Sequence, residues 1–423
     1  MDELVVLLHD AVAGTLVRQT GGRLRFEYDA AYRARADATP LSRSMALEVA
    51  VHADAVVTPW LWGLLPENDA VLSRWGRQFR VSASSPFTLL GTPIGEDCAG
   101  AVRFCPRSEV DRLLARAGSV QWLDEAALSS RIRDLRQDAT AWLGRDFVGQ
   151  FSLAGAQAKT ALLFDGSRWG VPSGATPTTH ILKPAIRGFD DHELNEHICL
   201  DAARRVGLLA ARTRVDQFGA ESVIVVTRYD RVAGPTGFRR IHQEDVGQAL
   251  TVAPSRKYES EGGPGASDVI ALLRREMPPR EAAEAVGRFV DALVWNWVIA
   301  GTDAHAKNYS LLLNGRETRL APLYDIASAL PYGVHERKLR MAMKIGDDYD
   351  LFYLWDRWGK AAAAWDLDRD ALRDRVLEIA RRVPDAFADA ASESSVVRLG
   401  RKGPDRLVAA VSKRAARCVR QLT

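Results

Sequence analysis

Cysteine is scarce: Cys98, Cys105, Cys199 and Cys418 are all there are in 423 residues, and none pairs with another as C-x-x-C. That excludes a zinc or disulfide framework and leaves reduced thiols as the expectation. An excess of one charge is lacking too, because 57 Lys and Arg face 54 Asp and Glu for a net +3. So small a balance gives no independent reason to expect direct binding to nucleic acid or to a membrane surface. No apolar run approaches the ~18 residues of a membrane span. Met1-Asp2-Glu3-Leu4 carries no basic segment and Leu4 to Leu8 is too short for a signal sequence, so the cytoplasm is the expected location.

What remains is the composition of a soluble globular protein, 47% hydrophobic and 26% charged. The length is too great for one ordinary core, and two lobes or more are expected.

The chain is organised around Gly301-Thr302-Asp303-Ala304-His305-Ala306-Lys307-Asn308, followed by Asp325 in Leu320-Ala321-Pro322-Leu323-Tyr324-Asp325. Phosphoryl transfer to a hydroxyl needs one carboxylate to accept the hydroxyl proton and oxygen ligands to hold Mg²⁺ on the phosphates. Asp303, Asn308 and Asp325 can supply that set, and the Asp303-to-Asn308 interval is the Asp-x-x-x-x-Asn interval of a kinase catalytic loop. Asp and Asn are also ordinary loop residues, so the interval alone is not specific. Its context adds weight: Val286, Phe289, Val290, Leu293, Val294, Trp297 and Val298 predict a buried helix ending at Gly301. Beyond the loop, Tyr309–Leu313 and Thr318–Leu320 flank Asn314-Gly315-Arg316-Glu317, a hairpin that would return Asp325 towards Asn308.

Upstream, Leu4–Leu8, Gly14–Val17 and Arg23–Tyr28 predict a small antiparallel sheet, with helical material around Asn68–Trp75. Nothing in this part offers a catalytic constellation. A charged helical linker over Trp122–Leu143 precedes Ser152-Leu153-Ala154-Gly155-Ala156-Gln157-Ala158-Lys159, whose small residues would let backbone N–H groups approach a phosphate. With one glycine it is far from a G-x-G-x-x-G fingerprint. Lys183, on the strand His180–Pro184, is either a solvated edge lysine or a point charge on the α- and β-phosphates, with Glu196 its candidate ion-pair partner. Thr227, Arg228 and Tyr229 end an apolar strand where backbone groups could seat an adenine; an ordinary core strand capped by Arg-Tyr-Asp-Arg fits equally. The polar stretch Lys257–Gly265 reads as a solvated loop able to meet a protein substrate. Asp350–Trp355 is rich in aromatics, and helices follow at about 366–389 and 403–422. Arg406, Lys413, Arg414, Arg417 and Arg420 mark the last helix as having a basic solvated face, with an acidic partner or DNA phosphate the alternative meaning of the pattern.

Several of these motifs together resemble the serine/threonine-protein kinase toxin family HipA: Ser152–Leu163, Thr176–Ile181, Lys257–Ser260 with Gly262–Gly265, and Thr302–Asn308. The likeness runs from about residue 4 to the C-terminal helices and is strongest between 150 and 331. The resemblance implies an α+β, two-lobed protein-kinase-like fold. Residues 1–110 would be a small N-terminal β subdomain, 111–230 a mixed N-lobe with the phosphate-binding loop, and 231–423 a mainly helical C-lobe. By matching positions Asp303 is the implied catalytic base and Asn308 and Asp325 the implied Mg²⁺ ligands. Ala154, Gly155, Ala156, Gln157, Ala158, Lys159, Lys183, Thr227, Arg228, Tyr229, His305, Ala306, Lys307, Asn308, Tyr324 and Asp325 would line an ATP site.

The family further implies phosphorylation of an aminoacyl-tRNA synthetase, typically the glutamyl enzyme, which stalls translation and favours dormancy. It implies a HipB-like helix-turn-helix antitoxin that brings the complex to operator DNA, no membrane partner, and self-inactivation through autophosphorylation at Ser152. The chain departs from the best-known member at Thr227, where that member has a carboxylate, and in the segment before Asp191. A non-catalytic antitoxin-binding scaffold and co-repressor is the alternative, and a kinase of small molecules or lipids a weaker one. The intact Lys183, Asp303, Asn308 and Asp325 set favours catalysis.

Overall fold

The computed structural model describes residues 2–115, 118–144, 150–235, 237–352 and 357–423. Tyr353, Leu354 and Trp355 of the aromatic segment lie outside the described residues. The chain divides into two compact units: Met1–Pro184, Gln217–Ser255 and Leu311–Thr318 form the first, and Ala185–Asp216, Arg256–Ser310 and Arg319–Thr423 the second. The division interleaves along the chain, so residues 231–255 and the hairpin 311–318, expected in the helical lobe, pack with the first unit.

In the first unit, strands β1 (Glu3–Leu8), β2 (Ala11–Arg18), β3 (Leu24–Tyr28), β4 (Val51–His52) and β5 (Val102–Cys105) form a sheet in the order β4-β3-β2-β1-β5. The three expected N-terminal strands are β1, β2 and β3. Asn68 caps the helix Asp69–Phe79, accepting from the N–H groups of Ala70 and Val71 and so satisfying donors the helix start leaves open.

A second sheet is built from β6 (Gly118–Leu123), β7 (Thr160–Phe164), β8 (Trp169–Gly174), β9 (His180–Pro184), β10 (Thr213–Phe218) and β11 (Glu221–Thr227) in the order β10-β11-β9-β7-β8-β6. Trp122 is therefore on strand β6, paired with Gly170, and the helix expected from that residue begins only at Glu125 under an Asp124 cap. Val120 and Trp122 pack over Gly170 of β8, which favours pairing over helix here. Helix Glu125–Gln137 buries Leu128 and Ile132 against Leu162, Leu182, Val223 and Val225 of the sheet.

The expected N-terminal subdomain has a small cluster around Val5, Leu7, Cys105 and Leu113, and shares its larger core with later residues. Leu4, Val6, Trp60, Trp75 and Phe87 belong to one apolar cluster with Leu135, Trp142, Phe151, Leu153 and Ala161. Phe151 and Leu153 thus plug the segment around Ser152 into that core. Strands β12 (Arg231–Gly234) and β13 (Gly237–Arg240) form a hairpin; β14 (His242–Asp245), β15 (Ser310–Asn314) and β16 (Glu317–Leu320) form a three-stranded sheet in that order.

The second unit is mainly helical. Its central element, Pro279–Ile299, buries Phe289, Val290, Leu293, Trp295, Trp297 and Val298. Helices Arg369–Ala391 and Gly403–Leu422 pack with it. The expected basic face of the last helix is only partly solvated: Arg406, Lys413 and Arg420 are exposed, while Arg414 is 2% exposed. Arg414 donates to the Trp297 carbonyl from Nε at 3.1 Å and Nη2 at 2.7 Å, to Leu351 O at 3.1 Å, and to Glu336. A planar guanidinium fork suits carbonyls left open at a helix C-terminus, which a count of charges along the last helix does not reveal.

Candidate active site

The loop that carries Asp303 is set by how the central helix ends. Ala300 takes a left-handed conformation, φ +55°, and the Gly301 N–H turns back 2.7 Å to the Asn296 carbonyl. A Cβ on Gly301 would meet Asn296 Oδ1 at 2.3 Å, so the turn needs glycine. Left-handed backbone thus falls at Ala300, one residue earlier than the expected stop. The chain then closes on itself: His305 N–H donates to Asp303 O at 2.9 Å and Asn308 N–H to His305 O at 2.9 Å. The Asn308 side chain also donates from Nδ2 to Asp303 O, at 2.7 Å, which leaves its Oδ1 as an acceptor for another group.

On either side of the hairpin the chain does return within this unit. Ala321 N–H donates 2.8 Å to Ser310 O, and Tyr324 Oη, bonded 2.7 Å to Lys307 O and 2.6 Å from Ser310 Oγ, fastens the residue before Asp325 to the residue before Asn308. Asp325 has φ +57°, a conformation aspartate tolerates better than most residues. Farther on, Ser328 Oγ donates to Ile299 O at 2.6 Å and Asn195 brackets Ser328 through bonds of 2.8 and 2.9 Å, tying this segment to the end of the central helix.

Asp303 stands out of its surroundings. Its side chain is 70% exposed, while His305, Ala306, Lys307 and Asn308 are buried. Asp303 Oδ1 accepts from Tyr258 Oη at 2.6 Å, and His305 Nε2 lies 4.0 Å from the same oxygen. Carboxylate and amide oxygens on a tightly bonded loop are a donor set that fits a hard divalent cation, and an exposed carboxylate fits a proton acceptor.

Other residues expected to line a nucleotide site belong to the first unit. Ser152 is 0% exposed; its hydroxyl donates 2.7 Å to Leu64 O, and its N–H donates 2.9 Å to Asp97 O. Gly155 has φ +100° and its carbonyl accepts from Glu67 N–H at 3.2 Å. Ala154, Gln157 and Ala158 are half-buried and Ala156 exposed. Lys159 folds back over the loop, donating 2.6 Å to Ala154 O with its ammonium 5.1 Å from the centre of the Trp142 ring. Lys183 sits opposite Ile224 on β9, between β11 and β7, and is buried; it is not a lysine on an edge strand. Glu196, in helix His192–Arg205, belongs to the second unit.

Thr227 pairs with His180, and Arg228 N–H donates to Thr179 O at 3.0 Å. The Arg228 side chain is committed elsewhere, to a buried cluster in which Arg228, Arg231 and Arg240 surround Asp97 and Asp230. Thr178 Oγ1 donates to Asp97 at 2.6 Å and Gly100 N–H to Asp230 at 2.7 Å. Burial opposes ionisation of both carboxyls, and the guanidiniums overcome it: Arg231, Arg240 and Arg228 at Asp97, Arg228 and Arg231 at Asp230, so both lie below the usual carboxylate range. The Tyr229 hydroxyl bonds Gln243. The cluster was legible only as the charged end of a strand, because Asp97 stands 131 residues before Arg228.

Among the described residues no group of three or more His, Cys, Asp or Glu is placed to hold a metal, and no helix is long and apolar enough to cross a membrane. All four cysteines are buried free thiols.

The fold and the closed Asp303–Asn308 loop define a protein-kinase-like protein. The HipA-like C-terminal domain model matches residues 151–387 and the HipA N-terminal domain model residues 4–105. The chain belongs to the HipA family. It is 32% identical over 391 residues to Y4mE of Sinorhizobium fredii, a kinase by name, covering 91% of this chain and 90% of that one. It is 29% identical over 351 residues to the serine/threonine-protein kinase toxin HipA of Shewanella oneidensis, with 79% and 77% covered. The fold matches that of HipA from Shewanella oneidensis MR-1, solved with HipB and its operator DNA, at a TM-score of 0.83 and 24% identity over 98% of this chain and 97% of that one.

Proposed function

We propose that this HipA-family chain is an ATP- and Mg²⁺-dependent serine/threonine kinase and the toxin of a toxin–antitoxin pair. The observation that carries the reading is the Asp303–Asn308 loop, closed by the Asn308 side chain and fastened through Lys307 O to the residue before Asp325. Asp303 takes the proton of the acceptor hydroxyl. Asn308 and Asp325 would hold Mg²⁺, which when bound screens the charge of the transferred phosphoryl group. Ala154 to Lys159 and Lys183 take the phosphates; the backbone of Thr227 to Tyr229, with His305, Ala306, Lys307 and Tyr324, takes the rest of the nucleotide. Arg228 contributes main chain alone, its guanidinium being held in the buried cluster.

The acceptor is an aminoacyl-tRNA synthetase, with the glutamyl enzyme first to test; its modification in the cytoplasm slows translation and promotes persistence. A HipB-like helix-turn-helix antitoxin holds the chain and carries it to operator DNA, a reading supported by the solved HipA–HipB–DNA assembly of the Shewanella protein. Autophosphorylation at Ser152 switches the kinase off. Phosphoproteomics of cells expressing the chain, set against its Asp303→Asn variant, tests this: a synthetase site present only with Asp303 supports the reading, and identical phosphoproteomes refute it.

A further inference from the structure

We propose that Tyr258 is a positioning residue that aims the Asp303 carboxylate, an inference that rests on the kinase reading and extends it. A side chain 70% exposed keeps its rotamer freedom unless something holds it, and a base must meet its proton at hydrogen-bond distance in a narrow range of directions. Among the described residues one side chain hydrogen-bonds this carboxylate: the Tyr258 hydroxyl, 2.6 Å from Oδ1. A carboxylate can accept at about four lone-pair positions, so a donor on Oδ1 fixes the group while Oδ2 stays open to the acceptor hydroxyl.

The tyrosine is itself held. Its carbonyl accepts from Glu261 N–H at 3.0 Å and from Gly263 N–H at 2.9 Å, across a turn in which Gly262 has φ +81°. A Cβ on Gly263 would come within 2.1 Å of Arg256 O, so the turn closes tightly only around glycine. Next to it, Glu259 Oε2 accepts from Lys344 N–H at 2.7 Å, which pins the segment to strand β17 (Arg340–Ile345). The ring meets His305 edge-on with centroids 5.0 Å apart, and the Lys257 carbonyl accepts from Ala306 N–H at 3.4 Å. The segment expected to be a solvated loop able to meet a protein substrate is thus built against the catalytic loop, with its one aromatic hydroxyl on the base.

The test compares full-length wild type, Tyr258→Phe and Tyr258→Ala by incorporation of labelled γ-phosphate from ATP into the chain itself. Melting temperature and nucleotide affinity are measured alongside. Tyr258→Phe keeps the ring contact and removes only the hydroxyl. The expected result is a maximal rate about 10-fold lower in both variants, with the ATP concentration for half-maximal rate, nucleotide affinity and melting temperature of Tyr258→Phe unchanged. A wild-type rate in Tyr258→Phe overturns the inference, since ring packing would then be the role. A faster rate overturns it too, because the hydroxyl would be competing with the acceptor. No incorporation by wild type defeats the kinase reading and this assignment with it, an outcome distinct from transfer that ignores Tyr258.

Discussion

The hydroxyl of Ser152 donates 2.7 Å to the carbonyl of Leu64, with no part of Ser152 exposed. A phosphate carrying ~1.5–2 negative charges and three acceptor oxygens has no room there. Phosphorylation of Ser152 therefore requires the segment to leave its seat, pulling Phe151 and Leu153 from the core they share with Trp60 and Trp75. Incubation with ATP should place phosphate on Ser152, absent in Ser152→Ala. The modified chain should exchange amide hydrogens faster over residues 152–159 and 64–67. Phosphate at Ser152 with unchanged exchange would contradict this.

Asp97 ties the seat of Ser152 to the end of β11. Its carboxylate serves Thr178, Arg228, Arg231 and Arg240 while its carbonyl accepts from Ser152 N–H. Removing one partner from a buried ion network leaves uncompensated charge, so Asp97→Ala should cost about 3–5 kcal/mol in urea unfolding. Replacing the exposed Asp37 by Ala should leave the urea midpoint within experimental error.

Glu244 is buried, accepting from Ser42 Oγ at 2.5 Å, Arg43 N–H at 2.7 Å and Trp60 Nε1 at 3.2 Å. Burial is the main cause that pushes its carboxyl up to about 7 from the ordinary 4.5, against the pull of the Ser42 bond. Between those values the folded chain holds a proton the unfolded chain has released. Its contribution is therefore complete below about 4.5 and lost as pH rises through about 7. Compared with Glu244→Gln, wild type should lose on the order of 3 kcal/mol between pH 4.5 and 8. Urea midpoints of the two chains across that range check it, and a constant difference would contradict it.

Much of this was readable in the sequence because it is local. The helix Pro279–Ile299, the strands around Lys183 and the β15–β16 hairpin follow from apolar periodicity and turn residues. The Asp303–Asn308 interval was likewise plain. What escaped depends on contacts between distant residues: Asp97 beside Arg228, Arg414 beneath Trp297, Tyr258 on Asp303. Charge spacing cannot tell a solvated arginine from a buried one, since both have the same neighbours in sequence. Trp122 misled for a related reason, because pairing with β8 holds it in a strand while the helical pattern takes effect only from Glu125.

Asp325→Asn should lower γ-phosphate transfer by about 100-fold or more and raise the Mg²⁺ concentration needed for half-maximal rate. Titrating Mg²⁺ at fixed ATP separates the two effects. A lower rate with an unchanged Mg²⁺ midpoint would remove Asp325 from the ligand set.

The most direct measurement is the rate of γ-phosphate transfer from labelled ATP by wild type and by Asp303→Asn, with nucleotide affinity measured on both. The predicted result is a loss of about 10²–10⁴-fold in transfer, as for removal of a general base, with nucleotide bound equally well. Transfer by Asp303→Asn at the wild-type rate would contradict it.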